Sequence, residues 1–232
     1  MSFKITCERK PWPVYFWYLC EDLKVPLFRT KMVTTSLLNQ LSMLLNEEFA
    51  PHTTLHGTLV EVFGVGVLIQ GKSSVGKSEA ALGLLERGHC LVSDDIVHVH
   101  VCEGTYVEGK AAELTQNLME IRGLGIINVA HLYGAVCVRS HKVIDTVVRL
   151  EIWDDQTTYD RVGLDVEYCE ILKIKVPQQI LPVRPGRDVV QLLETIALNF
   201  RLRKMGYNSA KELNTKLLKE IERKHKKVKQ TK

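Results

Sequence analysis

The chain has 232 residues, 45% of them hydrophobic and 25% charged, which is the balance of a globular protein and excludes a disordered, collagen-like or disulfide-scaffold chain. The formal charge of +4 is local: residues 219–232 hold seven Lys/Arg against two Glu, so the body is near neutral and a nucleic-acid face across it is not expected. Six scattered cysteines with no CxxC pair read as reduced thiols of a cytoplasmic protein, and no run reaches the ~20 apolar residues of a membrane helix.

In chain order, residues 12–19 form an aromatic, helix-like stretch. Lys4, Arg9 and Lys10 before it give a faint look of a signal peptide, which Pro11 and Pro13 break. Residues 25–28 suggest a short strand. Thr34, Thr35 or Ser36 could cap a helix over 37–49, stopped by Pro51. Residues 1–50 offer no room for an independent core and read as the remnant of a larger N-terminal domain plus a linker helix. From Leu55 the texture becomes strand-rich. His56-Gly57 opens the first core strand, residues 59–63 alternate, 64–66 turn, and 67–70 form an apolar strand. A helix over 78–87 ends at Gly88. Residues 90–92 and 97–101 read as strands, 107 onward as a loop with Gly109, and 113–119 as a short helix or turn. Residues 136–138, 143–153 and 164–176 read as strands. Pro177, Pro182 and Pro185 with Gly186 mark an ordered loop. Asp188 could cap a helix to about Met205, closed by Gly206, and Ser209 could cap the last helix, with Leu213, Leu217, Leu218 and Ile221 facing inward.

The motif that carries chemistry is Gly71, Lys72, Ser73, Ser74, Val75, Gly76, Lys77 and Ser78, a match to G-x-x-x-x-G-K-[ST] between a strand and a helix. Such a loop turns its N–H groups inward onto phosphate oxygens at the positive end of the helix. Lys77 would neutralise the terminal phosphates and the Ser78 hydroxyl would ligate Mg²⁺. Asp94-Asp95 close the strand that follows this helix. There a carboxylate can meet the metal, or take a proton from a hydroxyl nucleophile and return it in reverse.

Other candidates are weaker. His56 at a strand start reads first as a surface or capping residue. His98, His100 and Cys102 share one strand face, and are read as a half-exposed sheet face rather than a metal cluster because no fourth ligand is near in sequence. Glu120-Ile-Arg-Gly-Leu-Gly125 is a charged glycine loop. Arg161 is a surface residue or a phosphate clamp. The loop 182–187 is a stiffened cationic turn able to bind an anion or an acidic partner.

Taken together, the segments HGTLVEVFGVGVLIQGKSSVGKSE, LVSDD, LMEIRGLGIIN, YDRVG and PVRPGR, from about Leu55 to Tyr207, resemble the HPr kinase/phosphorylase family, bacterial enzymes that act on a serine of the phosphocarrier HPr. Residues 15–50, with PLFRT, resemble the end of that family's N-terminal domain. The resemblance implies that residues 71–78 hold ATP, and that His56, Lys77, Asp95 and Arg161 form the active site. Asp95 would be the base, and the acid in reverse, and Ser78 and Glu120 would hold Mg²⁺. Met119, Glu120, Ile121, Arg122, Gly123, Leu124, Gly125, Ile126, Ile127 and Asn128 would serve both directions. Pro182, Val183, Arg184, Pro185, Gly186 and Arg187 would serve dephosphorylation. It further implies a reverse reaction with inorganic phosphate that makes pyrophosphate, and a homohexamer. The family's loop commonly has Asp and Gly where this one has Lys72 and Ser74.

The residues alone imply an α/β chain with a mixed sheet, a P-loop and C-terminal helices. The resemblance makes it a P-loop kinase core like phosphoenolpyruvate carboxykinase, over residues 51–207, with residues 208–232 as a C-terminal helix and basic tail. A P-loop kinase of a small metabolite and a nucleotide-binding sensor without turnover stay open at this point.

Overall fold

The computed structural model describes residues 4–6, 14–157, 159 and 166–230, so Arg161 lies outside the described residues. The chain divides into two units, Met1–Ala50 and Pro51–Lys232. In the first, β1 (Lys4–Thr6) pairs in parallel with β2 (Leu27–Arg29), accompanied by α1 (Val14–Asp22) and α2 (Thr34–Phe49). α2 starts earlier than the apolar spacing indicates. Its N-cap is Val33, with no side-chain cap, so none of Thr34, Thr35 and Ser36 caps it.

The second unit runs β3 (His52–His56), β4 (Thr58–Val62), β5 (Val65–Gly71), α3 (Lys77–Glu86), β6 (Cys90–Ser93), β7 (Ile96–Cys102) and β8 (Tyr106–Lys110). It continues with β9 (Leu118–Ile121), β10 (Gly125–Asn128), α4 (Val129–Tyr133), β11 (His141–Val143), β12 (Thr146–Ile152), β13 (Glu167–Ile171) and β14 (Ile174–Val183). It ends with α5 (Val189–Lys204) and α6 (Ser209–Gln230). Six strands form a mixed sheet in the order β13-β14-β12-β5-β4-β6, and four form a second sheet, β11-β8-β7-β3. β12 is parallel to β5 and β14, whereas β4 is antiparallel to β5 and β6.

The central strands are apolar on both faces, as strands covered on both sides must be. On one face Val60, Val62, Val67, Ile69, Val148 and Leu150 join Ala81 and Leu84 of α3 and Leu193 and Ala197 of α5. On the other, Leu59, Leu68 and Val147 meet Val97, Val99 and Val107 of the smaller sheet. The result is three layers: helices, large sheet, small sheet. Among the described residues no helix is long and apolar enough to cross a membrane.

Several expectations are corrected. His56 does not open the first core strand; it ends β3. The supposed loop around Gly109 is β8. A Cβ on Gly109 would lie 2.6 Å from Leu59 Cδ2 and 2.8 Å from Val97 Cγ1, so glycine here marks the close approach of the two sheets. Residues 136 and 137 fall in a 3₁₀ turn, Ala135–Cys137, rather than a strand, and Val138 makes only an isolated parallel bridge to Leu91. The long strand over 143–153 is broken at Ile144-Asp145, where the Asp145 N–H donates to the Gly66 carbonyl (2.9 Å). The single strand expected over 164–176 folds back on itself: β13 and β14 form a hairpin through Leu172 (φ 51°) and Lys173 (φ 68°), a left-handed turn without the usual Gly or Asn signal. β14 then runs straight through Pro177 and Pro182. Asp188 does cap α5, accepting from Gln191 N–H at 2.9 Å. For α6 the capping side chain is Asn208, which accepts from Lys211 N–H at 3.1 Å. Leu213, Leu217, Leu218 and Ile221 are exposed, not inward.

Candidate functional site

The site is built at one edge of the large sheet. β5, β12 and β14 run the same way, and their C-terminal ends are in register: Gly71 pairs with Leu150, and Pro182 with Glu151. Because β4 is antiparallel to both β5 and β6, the C-terminal end of β6 emerges at that edge too, next to the start of β4. Ligands of open α/β sheets bind beyond the carboxyl ends of strands. The topology therefore gathers the phosphate loop, the acidic pair, Thr58 and the 182–187 loop by direction alone.

Residues 71–78 connect β5 to α3. Gly76 is the helix N-cap at φ 94°, a left-handed conformation that glycine adopts without penalty. Ser74 holds φ 70° with a side chain in place, so the position where the family commonly has glycine does require the left-handed region. Lys77 Nζ donates to the Gly71 carbonyl (3.2 Å) and the Lys72 carbonyl (3.4 Å), which keeps the ammonium over the loop. Two serines of the loop are gripped from outside: Arg122, in the turn between β9 and β10, donates through Nη1 to Ser74 Oγ and through Nη2 to Ser73 Oγ (3.1 Å).

Behind the loop sits Asp94, 8% exposed. Its carboxylate accepts from Thr58 Oγ1 at 2.7 Å and from the Glu120 N–H at 3.2 Å, and Ser78 Oγ lies 3.1 Å from both of its oxygens. Burial pushes this carboxyl above its ordinary range, against the opposing pull of the bonds from Thr58, the Glu120 amide and Ser78. One buried carboxylate thus ties β4, the first turn of α3 and β9 together. The acidic pair was flagged in the sequence, but the role of Asp94 and that of Thr58 were missed. The available signal was position: Asp94 is the residue immediately after the fully buried strand Cys90–Ser93.

Asp95 is exposed, at φ 61°, and its carbonyl accepts from Gly57 N–H (3.0 Å). His56, exposed at the end of β3, is the register partner of Ile96 and so lies at the same sheet edge. Met119 and Ile121 are buried in the helix-side core while Glu120 and Arg122 between and beyond them are exposed, and Arg122 reaches the loop. The 182–187 loop curls on itself, with Arg187 Nη1 donating to the Pro182 carbonyl (2.6 Å) and the Arg184 guanidinium 5.1 Å over the Trp153 ring. The donor set around Ser78 and Asp94, a hydroxyl and a carboxylate, with Glu120 joined to Asp94 through its own N–H, is all oxygen, which fits Mg²⁺.

Comparison with known proteins agrees with this geometry. A family model of the HPr Serine kinase C-terminal domain matches residues 47–217. The chain is 46% identical over 219 residues to the HPr kinase/phosphorylase of Caldicellulosiruptor bescii, covering 94% of this chain and 70% of that one. It is 49% identical over 202 residues to the HPr kinase/phosphorylase of Geobacillus kaustophilus, covering 87% and 65%. The solved HPr(Ser) kinase/phosphatase from Coxiella burnetii matches with a TM-score of 0.62 at 31% identity, over 69% of this chain and 98% of that one. The chain spans about two thirds of the length of the curated relatives it matches. With the phosphate loop, the buried carboxylate and the three-layer fold in place, the chain belongs to the HPr kinase/phosphorylase family.

Proposed function

We propose that this chain transfers the γ-phosphoryl group of ATP to a serine of the phosphocarrier HPr and, in reverse, removes it with inorganic phosphate to give pyrophosphate. The observation that carries the reading is the Asp94 carboxylate buried behind the phosphate loop with the Ser78 hydroxyl on it, the arrangement a nucleotide–metal complex needs. In-line phosphoryl transfer asks for positioning and charge neutralisation rather than covalent chemistry. Residues 71–78 cradle the phosphates, and Lys77 shifts from the loop carbonyls to their oxygens. Ser78 and Asp94, with Glu120, would hold Mg²⁺. When bound, the ion neutralises charge on the phosphates. Asp95, exposed beside Asp94, takes the proton of the attacking serine hydroxyl and returns it to the serine oxygen when phosphate attacks the phosphoserine. His56 and Arg161 complete the active site, and the 182–187 loop, with two arginines, serves the incoming phosphate. A cytoplasmic location and a homohexamer follow from the same reading.

The test is a transfer assay with purified HPr run both ways. Label from γ-labelled ATP is expected on an HPr serine, and serine-phosphorylated HPr with inorganic phosphate is expected to yield pyrophosphate. Label on a small hydroxyl metabolite in preference to HPr, or nucleotide binding with no transfer to either, overturns the proposal.

A further inference from the structure

The outer face of the small sheet carries a chemistry of its own. β7 turns Val97 and Val99 toward the large sheet, as β8 does Val107, so the alternate residues His98, His100 and Cys102 share the opposite face. Along one strand these three are too widely spaced to close on one ion. The register supplies a further ligand from the neighbouring strand: His100 stands directly opposite Glu108, and Cys102 opposite Tyr106. His98 is drawn elsewhere, with Nδ1 3.2 Å from Thr54 Oγ1.

One ligand atom from each of His100, Cys102 and Glu108 lies within 4.8 Å of the other two. His100 Nε2 and Glu108 Oε1 are 3.7 Å apart, longer than a hydrogen bond. Tetrahedral Zn²⁺, with bonds of about 2.0–2.3 Å, sets neighbouring ligand atoms roughly 3.3–3.6 Å apart. Closing this triangle on an ion therefore takes side-chain shifts of about 1 Å, with no change in the strands. All three residues are half-buried. A nitrogen–sulfur–oxygen donor set selects a transition metal over Mg²⁺ or Ca²⁺, which take oxygen ligands.

We propose that His100, Cys102 and Glu108 form a transition-metal site, best suited to Zn²⁺, that staples β7 to β8 and leaves a fourth position for water. Binding forms a metal–thiolate bond, releases the Cys102 thiol proton to solvent and changes no oxidation state. His52, the register partner of His100 on β3, is on the same face. Five residues of extended strand, about 17 Å, separate His100 from Asp95, so the site is distinct from the phosphate loop and goes beyond the kinase reading.

The experiment uses the full chain, stripped with chelator and held in excess Mg²⁺ so that the phosphate loop does not compete. Titration with Co²⁺ is expected to give a near-ultraviolet thiolate-to-metal charge-transfer band that saturates at one equivalent and is displaced by Zn²⁺. Cys102→Ser should remove the band. His100→Ala should weaken binding by about tenfold or more. His131→Ala, an exposed histidine of α4, should change nothing. Zn²⁺ should raise the melting temperature of the unaltered chain but not of Cys102→Ser. Should Cys102→Ser fail to fold, Glu108→Gln carries the same expectation of weakened binding. Absence of the band in the unaltered chain, or a band that survives in Cys102→Ser, overturns the proposal.

Discussion

At the scale of single residues, the two neighbouring carboxylates of the site are separated by their surroundings. Asp94 is buried among donors from three elements, and Asp95 is exposed one residue later. The proposed mechanism divides the work along this difference: the buried group would organise the loop and the metal, and the exposed one would meet the substrate. Asp94→Asn keeps the shape but replaces one acceptor oxygen with a donor that faces the Ser78 hydroxyl or the Glu120 N–H. It is expected to lose Mg²⁺-dependent nucleotide binding as well as transfer. Asp95→Ala is expected to abolish transfer while nucleotide affinity stays within a few-fold, and Lys77→Ala to lose nucleotide binding itself. Titration with a fluorescent ATP analogue beside the HPr assay separates the three. Near-normal transfer by Asp95→Ala would reassign the base.

At the scale of elements, the sheet edges and layer contacts are set by positions where a side chain cannot fit. A Cβ on Gly66 would lie 1.8 Å from the Val143 carbonyl oxygen, a backbone atom, whereas the nearest atoms to a Cβ on Gly109 are the ends of Leu59 and Val97. Backbone cannot step aside, but side-chain tips can. Gly66→Ala is therefore expected to destabilise by about 3 kcal/mol and Gly109→Ala by nearer 1 kcal/mol, read from urea unfolding. A second contact between elements is electrostatic. Glu194 of α5 accepts from Arg87 (2.7 Å) and faces His89 Nε2 (3.0 Å), which fastens α5 to the end of α3. Burial pushes the Glu194 carboxyl up, but the bonds from His89 and Arg87 outweigh it and its folded value lies below the ordinary one. A depressed carboxylate contributes stability above its unfolded value, about 4.3, and loses that contribution as pH falls through the folded value. The melting-temperature gap between the unaltered chain and Glu194→Gln should be full near neutral pH and shrink below about pH 4.3. An equal gap at all pH values would mean the contact is not ionic. These elements also show what the sequence could and could not reveal. The strand–loop–helix of residues 65–86 was legible because glycines, an apolar strand and a capped end coincide there. β8 was not, because Gly109 reads as a breaker until the facing sheet is known. The β13–β14 turn was not, because Leu172 and Lys173 adopt left-handed φ with no turn residue to announce it.

At the scale of the whole molecule, legibility divides between what is local and what depends on register. The phosphate loop is contiguous and was readable, as was the acidic pair. The bonds from Thr58 and Glu120 to Asp94, and the reach of Arg122 to Ser73 and Ser74, join strands far apart in the chain and exist only once the sheet order is set. The last helix is the reverse case, a local pattern left uncovered among the described residues. Leu213, Leu217, Leu218 and Ile221 recur at helical spacing on one face of α6, and each is 51–54% exposed. Periodicity indicates an inward face, and among the described residues nothing covers it. Full burial of each such side chain is worth roughly 1.5–3 kcal/mol, so a stripe of four is a strong incentive to associate, and the homohexamer inferred above supplies a second copy as the occupant. Leu217→Glu combined with Leu218→Glu should then shift sedimentation to smaller species, with far-ultraviolet dichroism retained because these side chains contribute little to the core of their own chain. If the pair of substitutions leaves the assembly intact, the stripe faces something other than a neighbouring subunit. If the unaltered chain sediments as a monomer, assembly is not what this face serves.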